Sequence, residues 1–199
     1  MSLGEPVRVN IDNFRRAECD TYFASFVKTG GFGKFNHERE LAAIEKQAVI
    51  RLNRDTLYSW GVFDLDASSV SVTLPDTGKR YMALQVVNGE HYTTDVFYAP
   101  GTYTITKENV GTRYVCLIVR TFVNPDDAAD VKTVHALQDS ITVTQQATGQ
   151  FETETWDPES LTAIREALLN LAAATGGINS SRMFGREDEV EPTQHLLGT

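Results

Sequence analysis

Cysteine is scarce in this chain, with only Cys19 and Cys116 present. So sparse a pair excludes a disulfide framework and a cysteine-based zinc site, and both residues are expected to be buried thiols. Histidine is almost as thin. His37, His91, His135 and His195 form neither an i, i+4 pair nor an H-x-H arrangement, so no metal site is expected, and no cofactor motif accompanies them. Positive charge is in deficit, the formal net charge being −9. That balance opposes nucleic-acid phosphates and anionic lipid alike, so neither is an expected partner. No apolar run approaches the roughly 20 residues that cross a bilayer, and the N-terminus lacks the apolar stretch of a signal peptide. A soluble, cytoplasmic protein is the expectation. No G-x-S-x-G elbow occurs, and neither cysteine sits in a setting that would activate it, so covalent catalysis has no support.

What the chain does have is alternation. From residue 47 to 122, "QAVIRLNRDTLYSWGVFDL", "SVSVTLP", "KRYMALQVV", "HYTTDVFYA", "GTYTITK" and "TRYVCLIVRTFV" read as six short strands in succession. "PDTG", Pro75 to Gly78, has the chemistry of a hairpin turn, and "APG" and "ENVG" punctuate the later strands. Strands without intervening helices predict a mainly β fold, an antiparallel sandwich or partial barrel, with flanking helices.

Before the strands, a helix is expected through about Lys28, capped by Asn10 or Asp12. Ile11, Phe14, Cys19, Tyr22, Phe23, Phe26 and Val27 recur at helical spacing, and Gly30-Gly31 ends the run. "GGFGKF", Gly30 to Phe35, matches no dinucleotide or phosphate-loop spacing and reads as a chain reversal. After them, Ala129, Val131, Val134 and Leu137 mark a helix face, with a short strand expected at 141–143. A second amphipathic helix starts at Asp157 and Pro158, with Leu161, Ile164, Leu168 and Leu171 inward. The organisation expected is a tag-like or disordered start at 1–6, a helical segment at 7–46, a β-sandwich with added helices at 47–175, and a polar, aperiodic tail at 176–199.

Two constellations offer chemistry. In "NRDTLYSWG", Asn53 to Gly61, an extended chain puts Arg54, Thr56 and Tyr58 on one face and Asn53 and Asp55 on the other. Arg54 and Tyr58 together suit an anion or hydroxyl. The competing expectation is a buried arginine–carboxylate brace, since buried charges are normally paired. In "NGEHYTTD", Asn88 to Asp95, the chain leaves a strand with His91 and Tyr92 flanked by Glu90 and Asp95. There His91 could act as a base or ligand oriented by a carboxylate. One non-covalent pocket, floored by Arg54 and Tyr58 and walled by His91 and Tyr92, is the hypothesis of a small-molecule enzyme. A module with a structural, interaction or ligand-binding role, within a homo-oligomer, is the other.

The segments "QAVIRLNRDTLYSWGVFDLDA", "TLPDTGKRYMALQVVNGEHYTTDVFYAPGTYTI", "GTRYVCLIVRT" and "DVKTVHALQDSI" resemble the bacterial family called domain of unknown function 1254. The resemblance runs from about residue 7 to the end. It implies a jelly-roll-like β-sandwich, and it makes Asn53, Arg54, Asp55, Thr56 and Tyr58 signature residues without assigning them a reaction. It also implies that a second β-rich module, domain of unknown function 1214, follows a segment like "MFGREDEVEPTQHLLGT".

Overall fold

A computed structural model describes residues 5–41 and 53–199 of the chain. Among these, the alternating segments form strands: β1 (Asn36–His37), β2 (Thr56–Asp64), β3 (Val70–Leu74), β4 (Met82–Asn88), β5 (Thr93–Tyr98), β6 (Gly101–Ile105), β7 (Tyr114–Phe122) and β8 (Thr142–Gln145). They build two antiparallel sheets, ordered β1-β2-β7-β4-β5 and β6-β3-β8, and the sheets do not close into a barrel. Helices α1 (Phe14–Lys28), α2 (Lys107–Val110), α3 (Ala128–Asp139), α4 (Pro158–Ala174), α5 (Ser180–Met183) and α6 (Pro192–Gly198) complete a mixed but mainly β architecture. The start of the first strand-like run, 47–52, lies outside the described residues.

The two layers meet along one apolar seam. Phe63, Leu84, Val86 and Leu117 of the larger sheet pack against Val70, Val72, Leu74 and Ile105 of the smaller. Each such side chain, fully buried, stabilises by about 1.5–3 kcal/mol relative to exposure. The opposite, outer face of the larger sheet is covered over only part of its length. Phe23 of α1 packs there against Val62, Val87, Tyr114 and Cys116, and Phe26 stacks on Trp60 with ring centres 4.5 Å apart. Both cysteines are buried free thiols, as expected.

Several expectations need correction. "PDTG" makes a turn, in which Asp76 Oδ1 accepts from the backbone N–H of Gly78 at φ +61°, but it does not join a hairpin. β3 pairs with β6 and β8, so the chain crosses between layers at this turn. Local turn chemistry was legible there, whereas the partner of each strand depends on which apolar face finds the other layer. The N-cap of α1 is Asn13, while Asn10 Oδ1 instead accepts from the backbone N–H groups of Asp12 and Asn13. Ile11 and Tyr22 are exposed, and Glu18 and Asp20 are buried in their stead. These acids are paired locally: Arg165 Nε donates to Glu18 at 2.7 Å, Arg16 Nε lies 3.2 Å from Asp20 Oδ1, and Trp156 Nε1 donates to Asp20 Oδ2 at 3.0 Å. In α4, Ala172 is buried and Leu171 exposed. The tail read as aperiodic carries α5 and α6, with Met183, His195 and Leu197 buried.

Candidate functional site

The signature residues divide at the mouth of β2. Asn53, Arg54 and Asp55 are exposed in the turn that leads into the strand, and Thr56 starts it. No ion pair joins Arg54 to a carboxylate among the described residues, so the buried brace expected of Asn53, Arg54 and Asp55 is not what forms there. Exposed side chains next to a strand end keep their hydration without any partner, which removes the electrostatic reason for a brace. Thr56 is buried, and its hydroxyl donates to Asp55 Oδ1 at 3.2 Å.

Tyr58 lies further along, on the outer face, because it shares parity with Val62 beneath α1. Strand register then sets a row across four strands: Tyr58 opposite Arg120, Arg120 opposite Ala83, and Ala83 opposite Tyr98. The Arg120 guanidinium lies over the Tyr58 ring, 5.9 Å from its centre. Here the outer face is open, and a cleft of about 410 Å³ runs across β7, β4 and β5. Its floor is Ala83, Gln85 and Arg120, and its rim carries Tyr81, Tyr98 and Phe184. Tyr81 and Tyr98 meet edge to face at 6.1 Å.

Two polar groups in this cleft lack partners. Arg120 Nε and Thr94 Oγ1 are buried with no hydrogen-bond partner among the described residues. A buried donor left unpaired costs about 1–3 kcal/mol, more when it belongs to a charged group, so such atoms mark places where a ligand or solvent completes the structure. The other guanidinium of the lining is already engaged. Arg186 donates through Nε to the Thr94 carbonyl at 3.0 Å and through Nη2 to Asp95 Oδ1 at 3.3 Å. Glu189 Oε2 accepts from the Arg186 backbone N–H at 3.0 Å. Arg120 is therefore the cation in the cleft without a neutralising carboxylate among the described residues.

His91 and Tyr92 are not beside Tyr58. They follow Asn88, five residues beyond Ala83 on β4, or about 16 Å along the strand. The four residues expected to share one pocket thus fall at three places: Arg54 at the entry to β2, Tyr58 on the outer face, and His91 with Tyr92 at the far end of β4. His91 occupies the left-handed region, φ +67°, within a turn in which Asn88 Oδ1 accepts from the backbone N–H of Glu90 and of Tyr92. Its Nδ1 is buried without a partner among the described residues. Burial, aided by the neighbouring His195, pushes the imidazole down to about 4, so His91 is neutral at pH 7 and lacks the imidazolium form a general acid needs. Its ring packs against Phe184, with centres 5.9 Å apart, so it backs the wall of the cleft. Burial likewise raises the Glu90 carboxyl, against the pull of Arg16 and Arg15.

One serine–histidine contact occurs elsewhere. The pairing of β1 with β2 brings His37 Nδ1 to 2.7 Å from Ser59 Oγ. Ser59 is wholly enclosed, and its oxygen also accepts from Gln138 Nε2 at 3.2 Å, so this contact ties α3 to the sheet and offers no open nucleophile. Among the described residues no group of three His, Cys, Asp or Glu side chains is placed to hold a metal ion.

Arg120 and His195 escaped the sequence reading. The signal for Arg120 was present: in "YVCLIVRTF" it is the charged residue on a face otherwise made by Tyr114, Cys116 and Ile118.

A family model described as "Protein of unknown function (DUF1254)" matches residues 32–145. The chain belongs to this family. The DUF1254 match begins in the glycine-rich reversal and ends with β8, and so takes in the whole sandwich. Among solved structures, the VPA0106 protein from Vibrio parahaemolyticus, a Northeast Structural Genomics Consortium target, is similar with a TM-score of 0.66 at 16% identity. The alignment covers 94% of this chain and 63% of that one, so the chain spans under two thirds of its neighbour's length. At this identity the likeness speaks of fold. No curated protein matches the chain. No helix among the described residues is long and apolar enough to cross a membrane.

Proposed function

We propose that this DUF1254 chain is a ligand-binding module, with a small anionic molecule seated on the outer face of the five-stranded sheet. The observation that carries the reading is Arg120: a guanidinium with a buried, unpaired Nε, backed by Tyr58, at the floor of a cleft of about 410 Å³. That volume falls in the range of small-molecule sites, and the lining sets Arg120, Gln85 and Thr94 beside the exposed rings of Tyr81, Tyr98 and Phe184, so it offers polar and apolar contacts together. Arg54, His91 and Tyr92 take supporting parts in this proposal. Arg54 adds positive potential near the mouth of β2, and His91 and Tyr92 hold the segment that forms one wall.

The finer expectations fit this frame. We take the strand order to be a jelly-roll-like winding and the location to be cytoplasmic. We also take a second β-rich module, as the family resemblance implies, to accompany this one, in line with a neighbour of which this chain covers 63%. The lack of nucleic-acid or membrane partners stays part of the proposal on the strength of the net charge of −9, and a homo-oligomer stays part of it as well.

Thermal-shift titration with small anions tests the reading, since a ligand that binds only the folded state raises its apparent stability with concentration. The wild type should shift and Arg120→Gln should not. A shift that survives Arg120→Gln, or no shift with any anion, would overturn it.

A further inference from the structure

The charge and shape of the cleft define its occupant more narrowly, and this step rests on the reading just given. We propose that the ligand is a monocarboxylate with a flat apolar body, of the arene carboxylate class.

The one guanidinium without an ion-pair partner sets the number of negative charges. The lining carries two guanidiniums and two carboxylates: Arg186 is held by Asp95 and by the Thr94 carbonyl, Glu189 accepts from the Arg186 backbone N–H, and neither carboxylate pairs with Arg120. Arg120 is left with capacity for one carboxylate, and its planar fork suits a carboxylate held by two parallel hydrogen bonds. A phosphate or dicarboxylate would bring a second charge that nothing in the lining meets. It would do so on a protein that already carries −9, where repulsion of polyanions is built in.

The row through Arg120 sets the body. Ala83 is small and sits between Arg120 and Tyr98, so the floor dips beside the guanidinium. Around that dip Tyr81, Val96, Tyr98 and Phe184 are each 45–59% exposed, four large apolar side chains on one cleft. Scattered exposed apolar residues need no explanation, whereas a group of them around one hollow marks a binding surface. A flat ring is the shape that meets tyrosine edges and faces at ordinary stacking distances. Thr94, its hydroxyl buried and unpaired, offers a hydrogen bond to a polar group at the far end of a longer ligand.

The test is calorimetric titration of the chain with benzoate, phenylacetate and 4-hydroxyphenylacetate, against acetate, benzamide and inorganic phosphate. Expected is binding of the arene carboxylates at least about tenfold tighter than acetate, benzamide or phosphate, equivalent to about 1.4 kcal/mol. Arg120→Gln should remove that preference over benzamide, and Arg120→Lys should restore it in part. Tyr98→Ala should weaken benzoate and leave acetate unchanged, with circular dichroism confirming that each variant folds. Equal binding of acetate or phosphate and benzoate, lost in Arg120→Gln, would sink the arene class and keep the anion site. Benzoate binding that ignores Arg120→Gln, or no binding by any probe, would sink both.

Discussion

His195 lies parallel to Tyr92, ring centres 4.1 Å apart at 10°, and its two ring nitrogens each face a backbone oxygen. Nδ1 is 2.7 Å from the Met183 carbonyl and Nε2 is 3.0 Å from that of Glu90. One wholly buried side chain thereby joins α5, α6 and the β4–β5 turn, and with them the Phe184–Glu189 wall of the cleft. A ring N–H on either nitrogen can donate to the carbonyl that nitrogen faces.

Replacing His195 by Ala removes the stack and both contacts and opens a cavity. A loss of about 2–4 kcal/mol is expected from urea unfolding, together with faster proteolysis after Met183. His195→Phe retains the stack but leaves two carbonyls unmet, and should fall between the wild type and the alanine variant.

His91 makes stability pH-dependent. Its folded-state value, about 4, lies below the ordinary one of about 6.5, so the fold favours the neutral ring. The stabilisation is whole above about pH 6.5, falls as pH drops toward 4, and then levels; the total is about 3 kcal/mol. Urea titrations between pH 7 and 4 should show this decline in the wild type. They should show it removed in His91→Asn, because asparagine tolerates the positive φ.

Asp64 acts at lower pH. Burial alone would raise its carboxyl, but donation from Arg113 Nη2 at 2.9 Å and from the Asp66 backbone N–H at 3.0 Å holds it below the usual range. Its contribution is therefore present at neutral pH and is lost as pH falls through the depressed value. Asp64→Asn should cost about 1.5–3 kcal/mol at pH 7, and the gap to wild type should narrow below about pH 4.

Gly61 is a steric test of the sheet. A Cβ there would stand 2.5 Å from the Lys34 carbonyl oxygen, a backbone atom that cannot swing aside. Gly61→Ala should destabilise by about 1–3 kcal/mol and alter the fluorescence of adjacent Trp60.

How far the residues foretold these features follows from the range of each interaction. The strands from Val70 to Phe122 were legible because alternation is local, and α3 and α4 because their caps are. Asp157 Oδ2 does accept from the Ser160 backbone N–H at 2.9 Å, as the Asp-Pro start suggested. The site was less so. "NRDTLYS" drew attention through its composition, yet Arg54 and Tyr58 part company where a turn replaces the expected extended chain. Arg120 becomes a partner of Tyr58 only through a pairing of β2 with β7, and periodicity does not state which strands pair. His195 depends on Glu90, far away in the chain, so no local pattern announced it.

The chain's habit of changing layers has a kinetic consequence. β2, β3, β4, β6, β7 and β8 each pair mainly with strands distant in sequence, and Thr56 finds its partner at Phe122. Among the described residues, only β4 and β5 pair through a short turn. Distant ends must be brought together, at an entropic cost, before most of the pairings can form. Folding should accordingly take milliseconds to seconds, in the range of other non-local β proteins, with the β4–β5 ribbon as its natural early seed.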